Sequence, residues 1–357
     1  MRGKNQDENK KINKNLVLKL IITKGPISRI ELSKKTSLTK MSITNIVNEF
    51  LQEGTIEELG NSDTNIGRKP ILLDIIPNCK LIIGVYISRN YIETFTSDLK
   101  GNISSMNRVE LDNENNDSFS KKIILSLDSI INKIDKDKII GIGISCIGPL
   151  DSKNCIILNP PNFYEICNLN IFELLKKYNL PIYMDNDMNT SAIAEKYFGK
   201  AVDINNFIYI GVTNGVGAGI FANGSLYKGS HGFSGELGHI TVNSNGEKCS
   251  CGNIGCLETY TSLPENWSET KKADLDEICK YLSIGLTTVV NLFDPECIFL
   301  GHDIALAEDF VRTNLSKELN SRMISSKYRN IEIEFSEFSN KSPIKGAVAL
   351  VIDNLFK

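Results

Sequence analysis

The apolar residues of this chain change period near residue 80. Before it they recur mostly at helical spacing; after it strand-like runs alternate with helical stripes. Leu16, Val17, Leu20 and Ile21 form a first stripe, stopped by Gly25 and Pro26. Ser28 and Glu31 have capping-box spacing, which predicts a short second helix ending near Lys35 or Thr36. A third helix starts near Thr39, buries Ile43, Ile46, Val47, Phe50 and Leu51, and ends at Gly54. Two strand-like runs, "TIEELG" and "KPILLDI", then flank a polar loop tipped by Arg68 and Lys69. A helix pair joined by a tight turn and followed by a hairpin reads as an N-terminal all-α winged helix-turn-helix head over residues 1–76. In such a head the polar groups of the second and third helices, Ser28, Arg29, Lys40, Ser42, Thr44, Asn45 and Asn48, are candidate contacts to phosphates and base edges. Arg68 and Lys69 on the wing would touch the adjacent backbone or minor groove.

Beyond Lys80, "KLIIGVYIS", "YIETFTSDL" and "NISSMNRVEL" predict three consecutive strands, followed by a helix over about Ser118–Ile134. "KIIGIGIS" is a buried strand, and "LPIYMDND" is another that delivers Asp185, Asn186 and Asp187 to its carboxyl end. "FIYIGVTNGVGAGIFANGSLYKG" gives two strands around a Gly-rich turn, and "ECIFLGHDI" follows a long apolar helix. Two α/β lobes with a cleft between them follow from this alternation, 77–190 and 191–357, with the last helix packing back on the first lobe.

Charge sharpens the division. The net charge of −3 alone argues against nucleic acid, but residues 1–75 hold 13 Lys/Arg against 9 Asp/Glu, so the body is acidic and the N-terminal segment basic. No apolar run is long enough to span a membrane, and the polar N-terminus has no signal-peptide core, so a cytoplasmic protein is expected. Nine cysteines, an odd number with three clustered, suit free thiols and a metal site better than a disulfide framework.

The cluster lies in "GELGHITVNSNGEKCSCGNIGCLETY". His239, Cys249, Cys251 and Cys256 supply one imidazole and three thiols, a closed tetrahedral set that suits structural zinc. Such a site can contribute on the order of 10 kcal/mol of ordering free energy. It would hold Glu236 and Glu258 in fixed positions beside the cleft. The turn "NGVGAG" is by itself as consistent with a structural hairpin as with a phosphate loop.

Taken together, "GFSGELGHITV", "CSCGNIGCLE", "GIGISCIGPLD", "MDNDMN" and "VVNLFDPECIFLG" resemble the blocks of the ROK family, which contains repressors and sugar kinases. "GPISRIELSKKTSLTKMSITNIVNEFLQEG" and "GRKPILLDI" are similar to the DNA-binding head of its repressor branch. The resemblance implies a two-lobed actin/hexokinase-like body and a monosaccharide of xylose, glucose or N-acetylglucosamine type. It implies a sugar site of Asn186, Asp187, Glu236, His239 and Glu258, and a homodimer or homotetramer bound to operator DNA. The kinases carry D-x-G-x-T at the first strand turn. Here Tyr86, Ser88 and Asn90 stand in its place, and Tyr86 and Arg89 are bulky where ATP phosphates need close backbone approach. A sugar-responsive regulator that is not an enzyme is therefore expected, with an ATP-dependent sugar kinase as the alternative.

Overall fold

The computed structural model describes residues 6–61, 70–213, 215–261 and 272–356. Three helices open the chain: α1 (Gln6–Lys24), α2 (Arg29–Thr36) and α3 (Lys40–Gln52). The starts of α2 and α3 are chemically marked. Ser28 and Glu31 form a full capping box on α2, and the Thr39 hydroxyl accepts from Ser42 N–H at the start of α3. Ile43, Ile46, Val47 and Phe50 are buried, whereas Leu51, the last apolar position of the stripe, is half-buried. The helices enclose a small antiparallel sheet in the order β1 (Ile27–Ser28), β3 (Ile71–Ile75), β2 (Ile56–Asn61). The sequence pattern anticipated the last two strands and not the first, which is only two residues long. Arg68 and Lys69 lie outside the described residues.

The first-lobe sheet has the order β11-β7-β4-β5-β6. Here β4 is Leu81–Ile87, β5 Tyr91–Ser97, β6 Ile103–Glu110, β7 Ile139–Cys146 and β11 Ile182–Asn186. β11, β7 and β4 are parallel, while β5 and β6 continue antiparallel as a hairpin extension. Between β7 and β11 the chain makes a three-stranded patch of β8 (Leu150–Asp151), β9 (Ile156–Ile157) and β10 (Leu169–Asn170) that the sequence pattern did not reveal. The helix expected over Ser118–Ile134 is α4 (Asn116–Ile131), begun earlier by an Asn115 cap and ended three residues sooner.

The second lobe has a sheet of the same size, β14-β13-β12-β15-β16. It contains β12 (Phe207–Val212), β13 (Val216–Ala222), β14 (Ser225–Leu226), β15 (Cys297–His302) and β16 (Glu332–Phe335). Two further long helices cover it, α8 (Lys272–Phe293) and α9 (Glu308–Arg322). None of the described helices is long and apolar enough to cross a membrane.

Between the sheets runs α6 (Asp187–Phe198), which touches strands of both. Its principal partner is the last helix, α10 (Ser342–Leu355), which also lies on β7, β4 and β11 of the first lobe. The approach is close: a Cβ on Gly143 of β7 would collide with the Ala347 carbonyl and Val351 of α10, and one on Gly346 with Thr190 of α6. One contiguous apolar cluster joins the head, including Val17, Ile21 and Phe50, to Tyr197, Ala347 and Val351 of these helices. The head is therefore packed on the body. Lys24 pairs with Asp203 at 2.5 Å, Asn15 donates to the Leu355 carbonyl, and the Lys19 ammonium lies 4.7 Å from the Tyr197 ring centroid. Gly143→Ala should therefore cost about 1–3 kcal/mol by overpacking, read as a lower urea midpoint at unchanged slope. A midpoint within error of the parent chain would show that α10 yields.

Candidate functional site

The carboxyl end of β11 meets the start of α6, so the cleft receives three consecutive polar side chains. Asp185 is 2% exposed; its Oδ1 accepts from Asn189 Nδ2 at 2.9 Å and from Asn186 N–H at 2.8 Å. Its Oδ2 lies 2.5 Å from the Lys228 ammonium, which follows β14 of the other lobe. Asn186 caps α6: its Oδ1 accepts from Met188 N–H at 2.9 Å, and its amide nitrogen faces Gly148. Asp187, the first residue of the helix, is also buried. Burial pushes its carboxyl up to about 7, and nearby Glu236 adds to the rise, against the Met188 N–H and Arg89.

Glu236 comes from the second lobe, at the turn that leads to His239. It is open to solvent at the cleft, yet desolvation by the surrounding protein raises its carboxyl; His239 opposes the rise and Glu258 adds to it. Asp187, Glu236, His239 and Glu258 thus form one electrostatic chain across the two lobes.

The ligand atoms of His239, Cys249, Cys251 and Cys256 all lie within 4.8 Å of one another. His239 faces the group through Nδ1, 3.8 Å from Cys249 Sγ, and Cys251 and Cys256 are 3.7 Å apart. None of the chain's nine cysteines is in a disulfide. The loop is held by backbone bonds from Gly255 N–H to the Glu247 carbonyl and from Cys249 N–H to the Asn253 carbonyl. Gly255 has φ +68°, and a Cβ there would run into the Asn243 carbonyl, so glycine is required. One nitrogen and three sulfurs at these separations fit a metal ion. Glu258, at the start of α7 (Glu258–Thr261), sits against this group: its Oε1 accepts from the Cys249 thiol at 3.0 Å and lies 3.5 Å from His239 Nδ1. Burial and this carboxylate hold the free Cys249 thiol up at about 12. A metal that takes this sulfur must displace its proton, so occupancy rises with pH.

The side chains at the first strand turn are packed or engaged. Tyr86 is 7% exposed and stacks edge-on against Tyr91, with ring centroids 5.8 Å apart. Arg89 donates to the carbonyls of Pro161 and Asn162. The described part of the Gly-rich turn faces a carboxylate: a Cβ on Gly215 would sit 3.5 Å from Glu258 Oε2.

In the head, Lys40, Thr44, Asn45 and Asn48 are exposed on α3, and Ser42 is half-buried. Two of the hydroxyls are already engaged, Ser42 with Thr39 Oγ1 and Thr44 with the Lys40 carbonyl. Ser28 is 4% exposed, and its hydroxyl is engaged with Glu31 in the capping box. Arg29 is tied to Glu58 of β2 at 2.7 Å. Sequence reasoning missed Lys228 and the approach of Arg89 to Asp187. No local spacing betrays either, because each depends on segments far apart in the chain meeting at the cleft.

The site also makes a pH prediction. The folded chain holds the Asp187 proton to about pH 7, whereas an unfolded chain releases it near 3.8. Asp187 therefore supports folding most at acid pH, and that contribution is lost as pH rises between those values. In urea titrations at pH 5.0 and 7.5, Asp187→Asn should flatten the loss of stability by up to about one proton's worth of slope. An unchanged slope would show that Asp187 is ionised throughout.

The ROK family model matches residues 82–264 and 263–354. The xylose repressor of Bacillus subtilis (strain 168) is 32% identical over 370 residues, covering 97% of this chain and 96% of the repressor. A solved ROK family transcriptional regulator, a homolog of the E. coli Mlc protein, superposes with a TM-score of 0.79 at 27% identity, covering 98% of this chain and 97% of that one. A ROK family glucokinase from Streptomyces griseus, solved with glucose and AMPPNP, shares the fold at a TM-score of 0.65 and 23% identity; it covers 75% of this chain and 98% of its own. With the family pattern running through both lobes, the chain belongs to the ROK family.

Proposed function

We propose that the chain is a sugar-responsive, DNA-binding transcriptional repressor of the cytoplasm, acting as a homodimer or homotetramer on carbohydrate genes. The observation that carries this reading is the head: a capped helix pair with an open polar face, packed as one apolar cluster onto a ROK body. The relatives support it. The xylose repressor matches along nearly its whole length, whereas the glucokinase match leaves a quarter of this chain over.

In the cleft, Asn186, Asp187, Glu236, His239 and Glu258 would bind a monosaccharide through its hydroxyls. The metal group would hold zinc through His239, Cys249, Cys251 and Cys256. Bound there, zinc supplies a fixed scaffold. The chain's own part is to place Glu236 and Glu258 opposite Asp187. Helix α6 provides the coupling. Its first residue is the cleft's Asp187, and its last turn carries Tyr197 beneath Lys19 of the head. A sugar that shifts α6 shifts α1 with it, and so the spacing of two heads on half-sites about one helical turn, or a multiple of it, apart. A coupling of about 1–3 kcal/mol changes operator affinity roughly 5- to 150-fold.

A sugar kinase is the second reading, favoured by Asp187, a buried carboxyl poised near neutral pH at a helix start. Phosphoryl transfer depends on positioned ATP, and Tyr86 and Arg89 fill the loop that would hold it.

Three measurements test the proposal. In a thermal-shift screen of monosaccharides, one sugar should raise Tm. Asp187→Ala and Glu258→Ala should lose that rise while still binding DNA, and a silent panel would remove the sugar from the reading. Incubation with magnesium, labelled ATP and the best sugar should give no sugar phosphate; turnover that vanishes in Asp187→Ala would establish the kinase. Metal analysis of protein purified without added metal should find about one zinc per chain, reduced in Cys256→Ser. Unchanged metal content in that variant would exclude the ligand set.

A further inference from the structure

Helix α3 leaves an apolar side chain on its open face. Met41 is 75% exposed, against 52% for Ile30, 42% for Ile12 and 41% for Ile71 among the exposed large hydrophobics of the head. It lies in the first turn of α3, next to Lys40 and one turn before Asn45. Met41, Asn45 and Asn48 recur at i, i+4 and i+7, so they share one side of the helix, with Lys40 at its edge.

The neighbouring groups separate into committed and uncommitted. The hydroxyls of Thr39 and Ser42 are bound to each other, and the Thr44 hydroxyl is bound to the Lys40 carbonyl. Glu49, the acidic residue of α3, is turned to α1, where Lys10 and Lys14 pair with it at 2.7 and 3.3 Å. Among the described residues of α3, what remains open is one cation, three side-chain amides and one thioether, with no carboxylate among them.

In a helix-turn-helix the N-terminal residues of the second helix meet base edges in the major groove. There an A·T pair offers adenine N6 and N7 to a side-chain amide, and the thymine 5-methyl group to an apolar side chain. Asn45 and Met41, stacked at i and i+4, match these two demands on the same or adjacent base pairs.

We propose that Met41 is a base-reading residue that contacts a thymine 5-methyl group beside the adenine read by Asn45. The proposal rests on the DNA-binding reading of the head. Met41 touches little of its own fold, so its replacement leaves the head's core intact.

The experiment uses the full chain and duplexes that it selects from a random library. Each thymine of the selected site is replaced singly by uracil, which removes only the 5-methyl group. The expected result is one thymine per half-site whose replacement weakens the parent chain about fourfold, the equivalent of ~0.8 kcal/mol for one buried methyl group. Met41→Ala should lose a similar factor on the thymine duplex, show no further loss on the uracil duplex, and bind random DNA as the parent does. A uracil penalty that persists undiminished in Met41→Ala would overturn the proposal and leave the DNA-binding reading standing. So would a selected site in which no thymine methyl matters. A parent chain that selects no sequence over random DNA would overturn both.

Discussion

The constraint on which the structure depends is the burial of α6. Most of its side chains, from Asp187 to Tyr197, are removed from solvent, and they contact both sheets and the last helix. A helix so enclosed cannot move by itself. Its close packing against α10, with glycines at the contacts, fixes Asn186 and Asp187 relative to the head at the other end. The cost of burying a carboxyl there is visible in Asp187, which keeps its proton to about pH 7. A group held against its preference in this way is poised to respond to whatever enters the cleft.

Much of this was legible in the sequence because the relevant rules are local. The capping box at Ser28, the stripe of α3 and the strand "LPIYMDND" each follow from spacing within a dozen residues. The group of His239 with three cysteines was legible for a different reason. Its residues are close in the chain, and imidazole with three thiols has few other uses in so short a loop. The bulky residue at the first strand turn was also readable, and Tyr86 is buried there.

What escaped was decided by distance or by burial. The Lys228–Asp185 pair joins two lobes, so nothing near either residue announces it. The short strands β8, β9 and β10 are two residues each, below the length at which alternation can be recognised. How deeply Ser28 sits was also not visible in the spacing: it is 4% exposed, and its hydroxyl donates to Glu31 Oε2 while accepting from Glu31 N–H. Met41 escaped because the polar face of α3 was judged by its polar members, and an apolar residue there carries meaning only once its exposure is known.

Glu258 faces two ways, its Oε1 toward the Cys249 thiol and His239, its Oε2 toward the Gly-rich turn. On the proposed reading this carboxylate belongs to the sugar site and to the surroundings of the metal at once. Thermodynamic reciprocity then applies: the factor by which the ion changes affinity for the sugar equals the factor by which the sugar changes affinity for the ion. On that reading the two ligands are not independent tenants of the second lobe: one side chain answers to both, and neither can be changed without being felt by the other.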